Sequence, residues 1–201
     1  MIAIIDYDAG NIRSVEKACI ALGKEAKVTS DPREILSASH VILPGVGAFG
    51  DCMEHLNDRQ LIPVIRQVKD AGIPFLGICL GLQLLFEDSE ETPGVQGLGL
   101  LKGHIVKFHE SPDLKVPHMG WNQISFPHEG RLFKGVPEGS FVYFVHSYYL
   151  KADDPSIVTA QCEYGITFDA SVESGNVFAC QFHPEKSGRT GLQILNNFLE
   201  I

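Results

Sequence analysis

The 201-residue chain carries 16 Lys and Arg against 25 Asp and Glu, a formal net charge of −9 at pH 7. No basic stretch concentrates those cations, which argues against a nucleic-acid partner, and no apolar run reaches the roughly 18 to 20 residues needed to cross a bilayer. Met1–Asp6 lacks the basic region of a signal peptide, so a cytoplasmic location is expected, and 44% hydrophobic content fits a single globular domain over residues 1–201.

Met1 to Asp6 reads as a buried strand, followed by a turn at Tyr7-Asp8-Ala9-Gly10. A helix over Asn11 to Leu22 follows, with Ile12, Val15, Ala18, Cys19 and Leu22 at helical spacing. Glu25 to Thr29 is a second strand, Pro32 to Ser37 a short helix, and Val41 to Leu43 a third strand. A long amphipathic helix is expected from Phe49 to Ala71, kinked or broken at Pro63. The fourth strand starts near Ile73 and runs into Gly77-Ile78-Cys79-Leu80-Gly81, with a helix over Leu82 to Phe86 beyond it. Strands separated by helix-length segments imply a parallel sheet with ligand sites at the carboxyl ends of its strands. After Phe86, short strands follow at His104–Phe108, Trp121–Phe126, Phe141–Leu150, Ile157–Glu163, Thr167–Val172 and Val177–Gln181, before a closing helix over Gly191 to Leu199. This half reads as antiparallel or mixed.

Five cysteines (19, 52, 79, 162 and 180) contain no Cys-x-x-Cys pair, which is wrong for a structural zinc site or a disulfide framework. Only Cys79 has a motif around it. Small residues two positions either side of it suit a sharp strand-to-helix turn that presents the central side chain. A thiol at a helix start also feels the positive end of the helix dipole. On its own the pentapeptide fits a glycine-flanked core cysteine equally well. A second loop, Gln181-Phe182-His183-Pro184-Glu185-Lys186-Ser187-Gly188, supplies an imidazole able to take a thiol proton and return one to a leaving amine. Glu185 is a candidate to orient that ring. The third loop, Pro44-Gly45-Val46-Gly47-Ala48-Phe49-Gly50, suits backbone N–H donors facing an oxyanion or simply a glycine-rich turn. It lacks the lysine of a phosphate loop. His146-Ser147-Tyr148-Tyr149 closes a strand, as an ordinary strand end or with polar groups that could line the same pocket, and His118-Met119-Gly120-Trp121-Asn122 combines an aromatic anchor with polar groups as interfaces do, or else places the single Trp in the core.

Together, the elbow Gly77-Ile78-Cys79-Leu80-Gly81-Leu82-Gln83 and the pair His183-Pro184-Glu185 resemble the class I (triad) glutamine amidotransferases. Four further segments resemble their subfamily of imidazole glycerol phosphate synthase glutaminase subunits. These are Asp6-Tyr7 with Gly10-Asn11, Leu43 to Phe49, Pro117 to Asn122, and His146 to Tyr149. The resemblance runs from residue 1 to the last helix and departs at Asp8-Ala9, where the subfamily has smaller residues.

The resemblance implies a three-layer, flavodoxin-like α/β fold, a parallel central sheet with a mixed or antiparallel extension, and no cofactor or metal. It implies glutamine as substrate, Cys79 as nucleophile, His183 as general base then acid, and Glu185 as orienting carboxylate. Val46, Gly47 and Leu80 would serve the oxyanion, while Gln83, Glu91, Ser147 and Tyr148 would hold the substrate. It further implies a (β/α)₈ cyclase subunit as partner, with Trp121, Asn122 and Lys186 expected at the interface. Another triad glutaminase, of the anthranilate or pyridoxal phosphate synthase type, and a cysteine peptidase or thiol hydrolase of similar fold are the alternatives.

Overall fold

The computed structural model of the chain describes residues 1–8, 11–109, 112 and 114–201. The first turn, read over Tyr7-Asp8-Ala9-Gly10, therefore lies partly outside the described residues. In chain order the first half runs β1 (Ile2–Ile5), α1 (Ile12–Ala21), β2 (Ala26–Thr29), α2 (Pro32–Leu36), β3 (His40–Gly45), α3 (Phe49–Asp58), α4 (Leu61–Asp70) and β4 (Phe75–Cys79). Helix α5 (Leu80–Leu84) leaves β4 without a connecting residue. Then come β5 (Asp88–Ser89), β6 (Gly103–Lys107), β7 (His118–Ser125), β8 (Phe141–His146), β9 (Tyr148–Ala152), β10 (Val158–Glu163), β11 (Thr167–Ser174), β12 (Val177–Cys180) and α6 (Gly188–Leu199).

The sheet order β2-β1-β3-β4-β12 is parallel throughout, which is the flavodoxin-like strand order. From β12 the sheet continues antiparallel through β11, β10, β7 and β8, with β5, β6 and β9 branching from β11. Periodicity explains the division. Strand β1 is apolar and buried at every position, as a strand covered on both faces must be. Its Ile2 and Ile4 pack with Val15 and Cys19 of α1 and Ile194 and Phe198 of α6, whereas Ala3 and Ile5 pack on the opposite face with Leu61 and Ile65 of α4. Two apolar cores sandwich one sheet, giving three layers. Strand β7 instead alternates, with Met119, Trp121, Gln123 and Ser125 exposed on one face.

Two expectations are corrected. The helix expected to break at Pro63 breaks earlier, at Gln60, which adopts φ 57° and ψ 31° in the left-handed region. Pro63 sits in the first turn of α4, where its missing N–H would have had no intrahelical partner anyway. The strand expected over Phe141–Leu150 divides at Ser147 into β8 and β9. Strand β8 pairs with β7 and β9 with β6 and β11, so the chain changes sheet partners at that residue.

Candidate functional site

Cys79 ends β4 with φ 56° and ψ −111°, a conformation that costs a non-glycine residue about 1–3 kcal/mol and persists only where its surroundings enforce it. Here β3 and β12 flank β4, with Gly45 opposite Cys79 and Cys180 opposite Ile78. Helix α5 folds back on the end of β3 so closely that a Cβ on Gly81 would lie 1.9 Å from the Leu43 carbonyl oxygen. A Cβ on Gly45 would lie 2.7 Å from the Gly81 nitrogen. Only glycine fits either position, and their contact holds the sharp turn. The first N–H groups of α5 have no intrahelical acceptor, and that of Leu80 directly follows the thiol. Cys79 itself is 7% exposed.

His183 lies three residues past β12 and is tied to β8, its N–H donating to the Tyr143 carbonyl at 3.0 Å. Its Nδ1 is 2.8 Å from Glu185 Oε1, and both side chains are almost fully buried. The same oxygen accepts from Asn11 Nδ2 at 2.8 Å. Asn11 stands at the N-cap of α1 yet makes no capping bond. A side chain well suited to capping is committed to the carboxylate instead. His183 Nε2 is buried and has no hydrogen-bond partner among the described residues, so it is the ring atom available for proton transfer. Burial alone pushes His183 down. The Cys79 sulfur and the Glu185 carboxylate outweigh it and hold the ring at about 9.

Cys79, Leu80 and His183 line a cavity of about 440 Å³ with Val46, Gly47, Gln83, Glu91, Ser147, Tyr148 and Lys186. Glu185 stands behind His183. Gln83 donates both Nε2 hydrogens, to the Tyr148 carbonyl at 3.1 Å and to Gln181 Oε1 at 3.0 Å, so only its own carbonyl oxygen is left for a ligand. Glu91, expected at a substrate amine, accepts from Phe49 N–H at 2.8 Å. It thereby caps α3, whose N-cap residue Ala48 makes no side-chain cap. The glycine-rich loop is braced from below: Tyr7 hydroxyl donates to the Pro44 carbonyl at 2.7 Å, and Cys52 Sγ lies 3.6 Å from the Val46 carbonyl. In a trans peptide C=O and N–H point opposite ways, so the Gly47 N–H faces away from Cys52.

Trp121, Asn122 and Lys186 do not form one contact set. Trp121 is 55% exposed and stands edge-on to Tyr143 at 6.1 Å. Lys186 Nζ lies over the same ring, 6.0 Å from its centroid. Asn122 is turned into the protein, donating to the Glu163 carbonyl at 2.9 Å and to His118 Nε2 at 3.3 Å. Beside Trp121, Met119 is 67% exposed, so an apolar stripe of β7 borders the cavity mouth. A larger recess of about 720 Å³ opens near Phe126 and Arg131. The Arg131–Glu173 ion pair at 2.6 Å occupies its wall, and no cysteine, serine or threonine is among the described residues lining it.

Sequence reasoning missed Gln181 as a site residue. It is fully buried and directs Nε2 to Cys79 Sγ at 3.8 Å; a polar residue closing an otherwise apolar buried strand is the signal that marked it. The other four cysteines are core thiols: burial pushes Cys19 and Cys162 up to about 12, Cys52 to about 11 and Cys180 well upward. Among the described residues no helix is long and apolar enough to cross a membrane.

The model of the family "Glutamine amidotransferase class-I" matches residues 3–201. The chain is 54% identical over 200 residues to the imidazole glycerol phosphate synthase subunit HisH of Moorella thermoacetica, covering 100% of this chain and 94% of that one. It is 56% identical over 198 residues to the protein of the same name from Bacillus cereus strain G9842, covering 98% and 93%. Among solved structures, one described as a glutamine amidotransferase superposes with a TM-score of 0.77 at 18% identity, covering 100% of this chain and 98% of the other. PurLQS from Thermotoga maritima superposes with a TM-score of 0.77 at 21% identity, covering 99% and 97%. The chain belongs to the class I glutamine amidotransferase family, among the glutaminase subunits of imidazole glycerol phosphate synthase.

Proposed function

We propose that the chain, acting as a single domain, hydrolyses glutamine to glutamate and ammonia through a thioester on Cys79 and delivers the ammonia to a cyclase subunit with a (β/α)₈ barrel. The observation that carries this reading is the series Cys79, His183, Glu185 and the half-buried Asn11, in which His183 Nε2 is buried with no hydrogen-bond partner among the described residues. His183 Nε2 takes the thiol proton as sulfur attacks the side-chain amide carbon. The tetrahedral oxyanion is met by backbone N–H groups of the Val46-Gly47 loop and Leu80. The C–N bond breaks as the imidazolium protonates the leaving nitrogen, and ammonia departs. Water then adds to the thioester with His183 taking its proton, and glutamate leaves the regenerated sulfur. Glu185, fixed by Asn11, keeps the ring oriented and stabilises its charge.

Gln83 Oε1, Ser147, Tyr148 and Glu91 are assigned to the substrate, Glu91 with its second oxygen since the first caps α3. Trp121 and Lys186 are assigned to the cyclase interface, with Met119 extending it; Asn122 contributes from behind. Free ammonia protonates readily in water, which favours sealing this mouth against the partner. We assign the complex to the cytoplasm. The Val46-Gly47 segment is read as unproductive until the partner is loaded. Glutamine hydrolysis by the isolated chain, compared with the chain plus cyclase subunit and its nucleotide ligand, tests the proposal. Turnover is expected only in the complex; full turnover by the isolated chain would sink the gating, and none in either the function.

A further inference from the structure

Two histidines that the chemistry above does not use, His146 in the cavity wall and His118 behind it, connect strand β7 to the nucleophile. His118 is 3% exposed and His146 6%. His146 Nδ1 lies 2.8 Å from the Tyr148 carbonyl oxygen. A carbonyl can only accept, so Nδ1 carries the hydrogen. Burial keeps both rings neutral, pushing His146 down to about 3 and His118 to about 4. His146 Nε2 is therefore an acceptor, and His118 Nδ1, 3.0 Å away, must donate to it. His118 Nε2 in turn accepts from Asn122 Nδ2. The Asn122 amide cannot be reversed, because its Oδ1 accepts from Gln123 N–H at 2.8 Å and its Nδ2 donates to Glu163. Every hydrogen along this line therefore has one direction.

The line does not stop at Tyr148. That carbonyl has two acceptor positions, filled by His146 Nδ1–H and Gln83 Nε2–H. Gln83 passes its second hydrogen to Gln181 Oε1, which fixes the Gln181 amide so that its nitrogen faces Cys79 Sγ. We propose that His118 and His146 are positioning residues of the glutaminase site, holding the Tyr148 carbonyl and, through Gln83, the Gln181 amide in register with the Cys79 sulfur. This rests on the glutaminase reading and adds two residues whose ring nitrogens bond to the protein and not to the thiol. It also gives strand β7 a bonded route to the nucleophile.

Aromatic packing is the competing role, since His118 is stacked on Phe144 at 4.7 Å and Tyr164 at 4.0 Å, and His146 sits among Phe108, Phe144 and Phe168. The replacements separate the two. His146→Phe keeps ring volume and removes both hydrogen bonds. His146→Asn loses volume but keeps an N–H where Nδ1–H stood. In the assembled synthase, positioning makes His146→Phe slower by about tenfold in kcat with KM for glutamine within about threefold. His146→Asn should recover most of that loss, and His118→Phe, which folds on its aromatic stack, should show a smaller drop. Packing alone reverses the order, so Phe at 146 matching or beating Asn, or both Phe variants within twofold of wild type, overturns the proposal. Alkylation of Cys79 by iodoacetamide needs no glutaminase activity and keeps the readings apart. A wild-type complex inert to glutamine would sink the function, whereas equal alkylation rates in wild type and His146→Phe would sink the positioning line.

Discussion

Replacing Glu185 with Gln removes a carboxylate that accepts from His183 Nδ1 and Asn11 Nδ2 on the same oxygen. His183 is raised from 6.5 to about 9 in the folded protein, which corresponds to roughly 3 kcal/mol. The folded value lies above the unfolded one, so this stability is fully present below pH 6.5 and is lost as pH rises through about 9. Glu185→Gln deletes one of the two groups that raise the ring and leaves its burial unchanged. His183 should move down, and the variant should lose less stability than wild type between pH 6.5 and 9. Urea denaturation at pH 6 and pH 9.5 measures both losses. Without the carboxylate to hold the tautomer, kcat in the complex should fall on the order of 10²–10⁴-fold. A variant with the wild-type pH dependence of stability, or with kcat within tenfold of wild type, would refute the assignment of Glu185.

Gly81→Ala places a methyl 1.9 Å from the Leu43 carbonyl, a backbone overlap that no rotamer relieves; destabilisation of about 1–3 kcal/mol or more and loss of glutaminase activity are expected, read by thermal unfolding and turnover. Trp121→Ala removes a half-exposed side chain with little burial to lose, so Tm should stay within about 2 °C, while the Kd for the cyclase subunit rises about 10- to 100-fold by titration calorimetry; unchanged affinity would move the interface elsewhere.

The residues that the sequence made legible share one property: their signal is local. Cys79 carries its glycines at fixed offsets, and His183 and Glu185 are two apart on one loop. The order of strands followed from apolar runs separated by helix-length segments, which is why the parallel half was readable. What was not legible depends on distant pairing. Asn11 meets Glu185 across 174 positions, Gln83 meets Gln181 across 98, and Tyr7 meets Pro44 across 37. Nothing in the sequence around Asn11 separates a helix cap from a carboxylate partner. The helix break at Gln60 was hidden for another reason: proline is the stronger breaker, but the first turn of α4 tolerates it, while the left-handed residue that divides the helices is an ordinary glutamine.

Gly45 is seated against the elbow, with Leu80 and the Gly81 nitrogen where its side chain would be, and Tyr7 holds the preceding carbonyl. Four residues on, Phe49 is pinned by Glu91 and Gly50 by Thr92 Oγ1. Between these anchors runs a short bridge, Val46, Gly47 and Ala48, with Gly47 at φ 109° and open space where a side chain would stand. The nucleophile is thus a fixed point, and so is the origin of the strand that faces it. On the proposed gating, loading of the partner would act on this three-residue bridge, and turning it would give up the Cys52 contact with the Val46 carbonyl while leaving the elbow in place.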